Sequence, residues 1–181
     1  MITKNFKARI ATLLQMMPVQ QAKGLVPVYD TSGTTRYMSI TSSSGSYNFP
    51  VSSSQSVVFN ANAGIHVGRG NTPATENDYT LEDQITSGLT ASTPTITQET
   101  DSSGNPYVEF LFTLSNTTAN DIEVAEIGYF QLFRLSDTQG GNITTTNRVL
   151  LLDRTILSPS VIVPANDSVA IKYTLKTIMP T

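Results

Sequence analysis

The sequence predicts a mostly β protein, an antiparallel β-sandwich with the jelly roll as one form of it, carrying one amphipathic helix at its N-terminus. Three observations point there. Apolar residues alternate with polar ones in several segments after residue 93, as in Val108, Phe110, Phe112 and Leu114, which places them on one face of a strand. Turn-forming clusters such as Asp101-Ser102-Ser103-Gly104-Asn105-Pro106 separate these segments. No alternation of strands with long helical patterns is present, which argues against a parallel sheet.

The N-terminal helix rests on a stripe of Ile2, Phe6, Ile10, Leu13, Leu14 and Met17 at a 3.6-residue period, flanked by Lys7 and Arg9. Pro18 ends it by removing a backbone donor and crowding the preceding turn. A lone helix of this length is marginal in water, so the stripe must pack on something: the chain's own sheet or another subunit. Residues 1–24 are therefore expected to form a helical attachment arm and residues 25–181 a β-sandwich domain. Leu25–Tyr29 and Tyr37–Ile40 are short strand candidates, and Val57-Val58-Phe59 leads into the next segment.

Residues 64–89 organise the rest of the chain. Ile65 and Val67 form a short strand; Gly68 and Gly70 then permit a tight turn or a close backbone approach. Thr75 and Asp78 have the spacing of a weak cap opening one helical turn, with Tyr79 and Leu81 as its apolar anchors. Beyond the hairpin at residues 101–106, Ile122–Leu135 is a long strand. Simple alternation puts Ile122, Val124, Glu126, Gly128, Phe130 and Leu132 on one face, so a carboxylate points where apolar groups point. Gly128 marks a bulge there. Arg154 lies on the Leu150-Leu152-Arg154-Ile156 face of a later strand and is the expected partner of Glu126, because a buried carboxylate is costly unless paired. In the last strand Val169, Ile171, Tyr173 and Leu175 point inward.

Composition narrows the function. The chain has 181 residues, no cysteine and one histidine, which excludes thiolate metal sites and a cysteine nucleophile. Lys4, Lys7, Arg9 and Lys23 occur among residues 1–24 without an acid, leaving 7 basic against 14 acidic residues, net −7, in the rest. Four positive charges beside an acidic body are a poor nucleic-acid surface. No stretch reaches the roughly 18 apolar residues of a membrane span, and Val19-Gln20-Gln21-Ala22 is a poor signal-peptide cleavage site. Gly68-Arg69-Gly70 lacks the remaining parts of a phosphate loop. His66 has no local nucleophile or carboxylate, and the acids Asp78, Glu82, Asp83 and Asp101 lack calcium-loop spacing, so they are expected to form a solvated patch. No catalytic, metal or cofactor residue is expected.

The succession V-G-x-G-x-T-P, D-Y-x-L-E and I-T-x-G-L between residues 67 and 89 continues with Glu126-Ile127-Gly128, Leu152-Asp153-Arg154-Thr155 and Val163-Pro164-Ala165-Asn166-Asp167-Ser168. In this order it resembles structural proteins of tailed-bacteriophage virions, over residues 64–178. The resemblance implies a decoration, neck or tail-associated component of the virion, oligomeric and in contact with other virion proteins, with no substrate, cofactor, membrane or nucleic acid as partner. The alternative from another class is a carbohydrate-binding or adhesin-like sandwich using Tyr29, Tyr37, Tyr47, Tyr107 and Tyr129.

Overall fold

A computed structural model describes Thr3, residues 25–39, Phe59, residues 64–139 and residues 142–176. The predicted N-terminal helix with Ile2, Phe6, Ile10, Leu13, Leu14 and Met17 lies outside these residues, as do Val57-Val58 of the lead-in to the organising segment.

Nine strands occur among the described residues: β1 (Leu25–Tyr29), β2 (Thr35–Ser39), β3 (Gly64–Gly68), β4 (Leu89–Ala91), β5 (Thr95–Thr100), β6 (Pro106–Asn116), β7 (Ile122–Gln139), β8 (Asn142–Val163) and β9 (Ser168–Lys176). The protein is mostly β, in two antiparallel sheets. In the first, β7 carries β8 along one edge and β3 and β2 along the other, with β1 outside β2; in the second, β6 carries β9 on one edge and β4 and β5 on the other. The alternation read from the sequence accounts for β6 and β9. Phe110, Phe112, Leu114 and Tyr173 are buried, and Val108, Val169, Ile171 and Leu175 pack against them. The same core takes Ile65, Val67, Ile127, Tyr129, Leu150 and Leu152 from the first sheet. Phe110 stands 5.8 Å from Tyr129, ring centre to ring centre, joining the two sheets, and 6.2 Å from its neighbour Tyr173 within the second sheet.

Simple alternation fails in β7 and β8, and the failure positions the site. The register runs Val124↔Val161 and then Glu126↔Ile156, so Ala125 faces the four residues Leu157–Ser160, which include the cis Ser158-Pro159 bond. Ile122 and Val124 enter the core before this irregularity; Ile127 and Tyr129 enter it afterwards. One residue of slip exchanges the faces of a strand. Glu126, Gly128 and Phe130 therefore leave the core side, contrary to the expected common face with Ile122 and Val124, and Leu132 is 40% exposed. On β8 the register passes from Phe130↔Leu151 to Tyr129↔Asp153, leaving Leu152 as the extra residue. Leu150 and Leu152 face the core, Asp153 accepts a 2.5 Å hydrogen bond from the Tyr173 hydroxyl on that same side, and Arg154 turns to the other face. The expected Leu150-Leu152-Arg154-Ile156 face is thus broken at Leu152. Gly128 itself is in regular register with Arg154 and with His66; the irregularities flank it.

The start of the chain is fastened to the body. Thr3 is fully buried; its backbone N–H donates to Leu152 O at 3.1 Å, and its hydroxyl lies 2.8 Å from Leu151 O and 3.0 Å from Leu152 O.

Candidate functional site

Residues 69–85 form a strap over the outer face of the first sheet. The chain leaves β3 at Gly68, runs out through Thr72 and Thr75, and returns beside β3, where Arg69 N donates to Asp83 O (2.8 Å) and Ile85 N to Val67 O (2.9 Å). Thr75 donates twice to Asp78, from its N to Oδ2 at 3.0 Å and from its Oγ1 to Oδ1 at 2.7 Å, and Asp78 N donates back to Thr75 O at 3.3 Å. They close a turn at Glu76-Asn77 instead of the expected helical turn; the amides that follow, of Glu82, Asp83 and Ile85, bond Glu126 and Val67 and so do not extend a helix.

Beneath the strap lie Glu126 and Arg154. Glu126 is fully buried, and its carboxylate accepts four hydrogen bonds. Oε1 takes Gly70 N at 3.1 Å and Asp83 N at 2.8 Å; Oε2 takes Glu82 N at 3.2 Å and Arg154 Nε at 2.8 Å. Arg154, 4% exposed, spreads its other donors outward: Nη1 to Asp78 Oδ2 at 2.9 Å and Nη2 to Glu82 Oε2 at 3.3 Å. Glu82 also accepts from Thr72 N (2.9 Å) and Thr72 Oγ1 (2.7 Å). A buried carboxylate is tolerable when paired and fully hydrogen-bonded, and this one is held on both sides. The planar guanidinium suits the arrangement, since its fixed fork of donors reaches three carboxylates that a point-charge ammonium could not serve together.

The pair expected between Glu126 and Arg154 is therefore present, on the opposite side of the sheet from the core. Asp78 and Glu82, expected as a solvated patch, are instead partners of Arg154, with side-chain exposures of 18% and 43%. Their spacing of four residues in an irregular segment carries no periodic signal, so only the unexplained Arg154 hinted at further acids. Asp83 contributes its backbone to the clamp. Asp101 stays apart in the β5–β6 turn, paired with Lys176.

Gly68 and Gly70 are needed for close approach. A Cβ on Gly68 would meet Glu126 Oε1 at 2.4 Å and Asp83 O at 2.6 Å; one on Gly70 would meet Glu82 Cβ at 2.5 Å and Glu126 Oε1 at 2.6 Å. Gly128 makes room for Leu81, whose Cδ2 would lie 2.8 Å from a Cβ there. Leu81 is buried with Phe130 and Leu151 in a second apolar cluster under the strap. Tyr79, the other expected anchor, is 40% exposed, and its ring lies over Gly33 in the β1–β2 turn. Leu81→Ala is expected to cost about 2 kcal/mol, the low end for a buried leucine because the strap can settle inward. Tyr79→Ala should cost less than half of that. Urea unfolding of both variants checks the order, and equal losses would show that Tyr79 holds the strap as firmly as Leu81.

His66 packs edge-on against Phe130, 5.1 Å between centroids, and Gln84 Nε2 donates to its Nδ1 at 3.0 Å. It serves packing beside the clamp. Among the described residues no group of three or more acids and histidines has metal-binding geometry.

The clamp is acid-sensitive. Burial raises the Asp78 pKa, but hydrogen bonds from Arg154 and Thr75 outweigh it and hold the carboxyl below its ordinary 3.8. Glu82 is also lowered, chiefly by the side-chain and backbone hydrogen bonds from Thr72. Groups depressed in the folded state contribute stability that is complete above their unfolded pKa and is lost as pH falls through the folded value. The stability difference between the native chain and Asp78→Asn should therefore be largest at neutral pH and shrink below the ordinary value of 3.8. Urea midpoints at neutral and acid pH test this; a difference independent of pH would remove Asp78 from the clamp's charge balance.

No family model matches this chain, and no curated protein or solved structure matches it either.

Proposed function

We propose that the chain is a non-enzymatic structural component of a bacteriophage virion. Its two sheets form a β-sandwich body, of jelly-roll type in the finer version of this reading, that packs beside copies of itself and other virion proteins. Residues 1–24 are the attachment arm. The observation that supports a structural role is the commitment of the clamp's polar groups to one another: the guanidinium of Arg154 is engaged by Asp78, Glu82 and Glu126, and both oxygens of Glu126 are occupied by the strap. A catalytic constellation needs groups poised toward a reacting atom, whereas these hold a surface segment rigid. A glycan platform is less well supported, since Tyr129 is buried in the core and the Tyr107 hydroxyl donates to Glu99.

The full chain and one beginning at Gly24 should be compared for thermal unfolding and for incorporation into assembled particles. The shortened chain is expected to fold, losing about 1 kcal/mol for each Thr3 hydrogen bond, and to fail to enter particles. Unfolding would assign the segment to the protein's own core; normal assembly would end the attachment role.

A further inference from the structure

A sheet edge with free main-chain groups recruits a further strand unless it is short, interrupted, charged or covered. Among the described residues, the edges other than β9 are guarded in one of these ways. The outer edge of β3 is taken by the returning strap, where Arg69 N donates to Asp83 O and Ile85 N to Val67 O. On β8, Val149 O and Leu152 O accept from Thr31 N and Thr3 N, and Pro159 lacks a donor farther along. β1 contains Pro27, β4 has three residues, and β5 has six with Glu99 among them. β9 has nine residues without proline or acid, in unbroken register with β6 from Tyr107↔Lys176 to Ser115↔Ser168, and among the described residues it pairs with β6 alone. Its lysines do not guard the edge, because both are drawn back over their own sheet: Lys172 Nζ lies 2.7 Å from Glu109 Oε2 on β6, and Lys176 is bonded to Asp101. Beside β9 a cleft of about 420 Å³ opens between the sheets, walled by Val67, Ile127, Leu157 and Val161. The successive residues Ala170–Thr174 of β9 all line it. Side chains alternate between faces, so the strand meets the cleft along its main-chain edge.

We propose that this edge is a dimer contact, at which β9 of a second copy adds antiparallel to β9 about a two-fold axis through Ile171. The contact deepens the proposed packing of the body beside copies of itself, on which it rests. An added strand must bring a free edge of its own, and β9 is such an edge in every copy, so one two-fold contact satisfies both. Parity and charge choose the axis. Opposed residues share a face of the sheet, so the axis passes through a residue. Through Lys172 it would set two lysines directly opposite each other, which is unfavourable. Through Ile171 it sets Ala170 against Lys172 and Ser168 against Thr174 on the outer face, and Val169 against Tyr173 on the inner. It also brings the Asp167 end of each strand beside the Lys176 end of the other, whereas an axis through Tyr173 leaves Asp167 beyond the partner's strand. Paired over residues 168–174, the contact runs about 24 Å. With a two-sheet body about 20 Å thick it buries on the order of 1,000 Å² over both copies, which suffices for a specific, reversible interface. The same axis sets the two clefts mouth to mouth, so their apolar walls leave water together.

Sedimentation equilibrium of the full-length chain is expected to show a reversible dimer in the micromolar range. Ala170 is exposed, so substitution there leaves the core untouched. Ala170→Lys sets like charges opposite each other twice per dimer and should weaken association about tenfold, whereas Ala170→Glu should hold or strengthen it. Thermal melts of both variants at dilution verify that they fold. The register is read separately, because the native chain has no cysteine. Ala170→Cys and Lys172→Cys chains are mixed in equal amounts and oxidised. In the proposed pairing these two positions face each other at about 5 Å, while identical positions lie about 8 Å apart, beyond disulfide reach. Intact mass should therefore show the mixed disulfide dimer several-fold above either same-variant dimer. A monomer throughout the micromolar range would overturn the proposal in favour of a foreign strand as the occupant. A dimer indifferent to charge at Ala170, or bridged mainly between identical positions, would overturn it as well, while leaving the packing of the body beside copies of itself intact. Particle incorporation of the full and shortened chains tests the arm independently of every one of these results.

Discussion

Arg154→Met is expected to destabilise the folded chain by about 3–5 kcal/mol, the cost of leaving a fully buried carboxylate without its cation. Glu126 would keep its three backbone donors, but its charge would no longer be balanced, and Asp78 and Glu82 would lose their common partner. The Arg154→Met/Glu126→Gln double variant should recover a large part of that loss, because the desolvation cost of the charged pair disappears with the pair itself. Urea unfolding of both single variants and the double variant measures the coupling. Additivity within about 0.5 kcal/mol would mean that the two side chains do not act together. The coupling, more than the single losses, is the diagnostic quantity, since removing either partner alone also disturbs the strap.

Gly68→Ala should cost about 3 kcal/mol or more, at the upper end of overpacking effects. The added methyl would fall 2.6 Å from Asp83 O, a backbone atom, as well as 2.4 Å from Glu126 Oε1. Neither can withdraw cheaply, because Asp83 O accepts from Arg69 N and Glu126 is bonded on both oxygens. Gly104→Ala provides the comparison. Gly104 has φ of +83° and open space around the new methyl, so it carries only the left-handed backbone penalty of about 1–2 kcal/mol. An unfolding midpoint for Gly68→Ala close to that of the native chain would show that the strap does not press on Glu126 as described.

The β class, the β5–β6 hairpin and the inward faces of β6 and β9 were legible because alternation there is uninterrupted and each turn carries its own chemistry. The Glu126–Arg154 pair was legible as two charges out of place in apolar strands. Its location was not. Assigning Glu126 to a face required knowing that β7 slips at Ala125, and a register irregularity belongs to two strands at once, whereas periodicity is a property of one. The two expected faces failed together, through separate irregularities in β7 and β8, so the partners still met. Asp78 and Glu82 were read as solvated acids and not as partners of Arg154 for a different reason: they sit in irregular chain, where spacing says nothing about direction. Tyr79 looked like Leu81 in sequence, an isolated large side chain among polar ones, and only the position of Gly33 explains why one stays outside.

The strap also has a consequence for the order in which the chain can become structured. Gly70 and Glu126 are 56 residues apart, and Asp78 and Arg154 are 76 apart. During synthesis from the N-terminus, residues 69–85 leave the ribosome long before either of their partners exists. Non-local contacts of this kind contribute nothing until the intervening loop closes. The strap's amides and carboxylates therefore remain in water until β7 and β8 have paired, so this early-made segment is among the late-placed parts of the fold. The polar character of residues 69–80 suits that wait, since hydrated Thr, Asn and Asp side chains expose little sticky surface to neighbouring nascent chains.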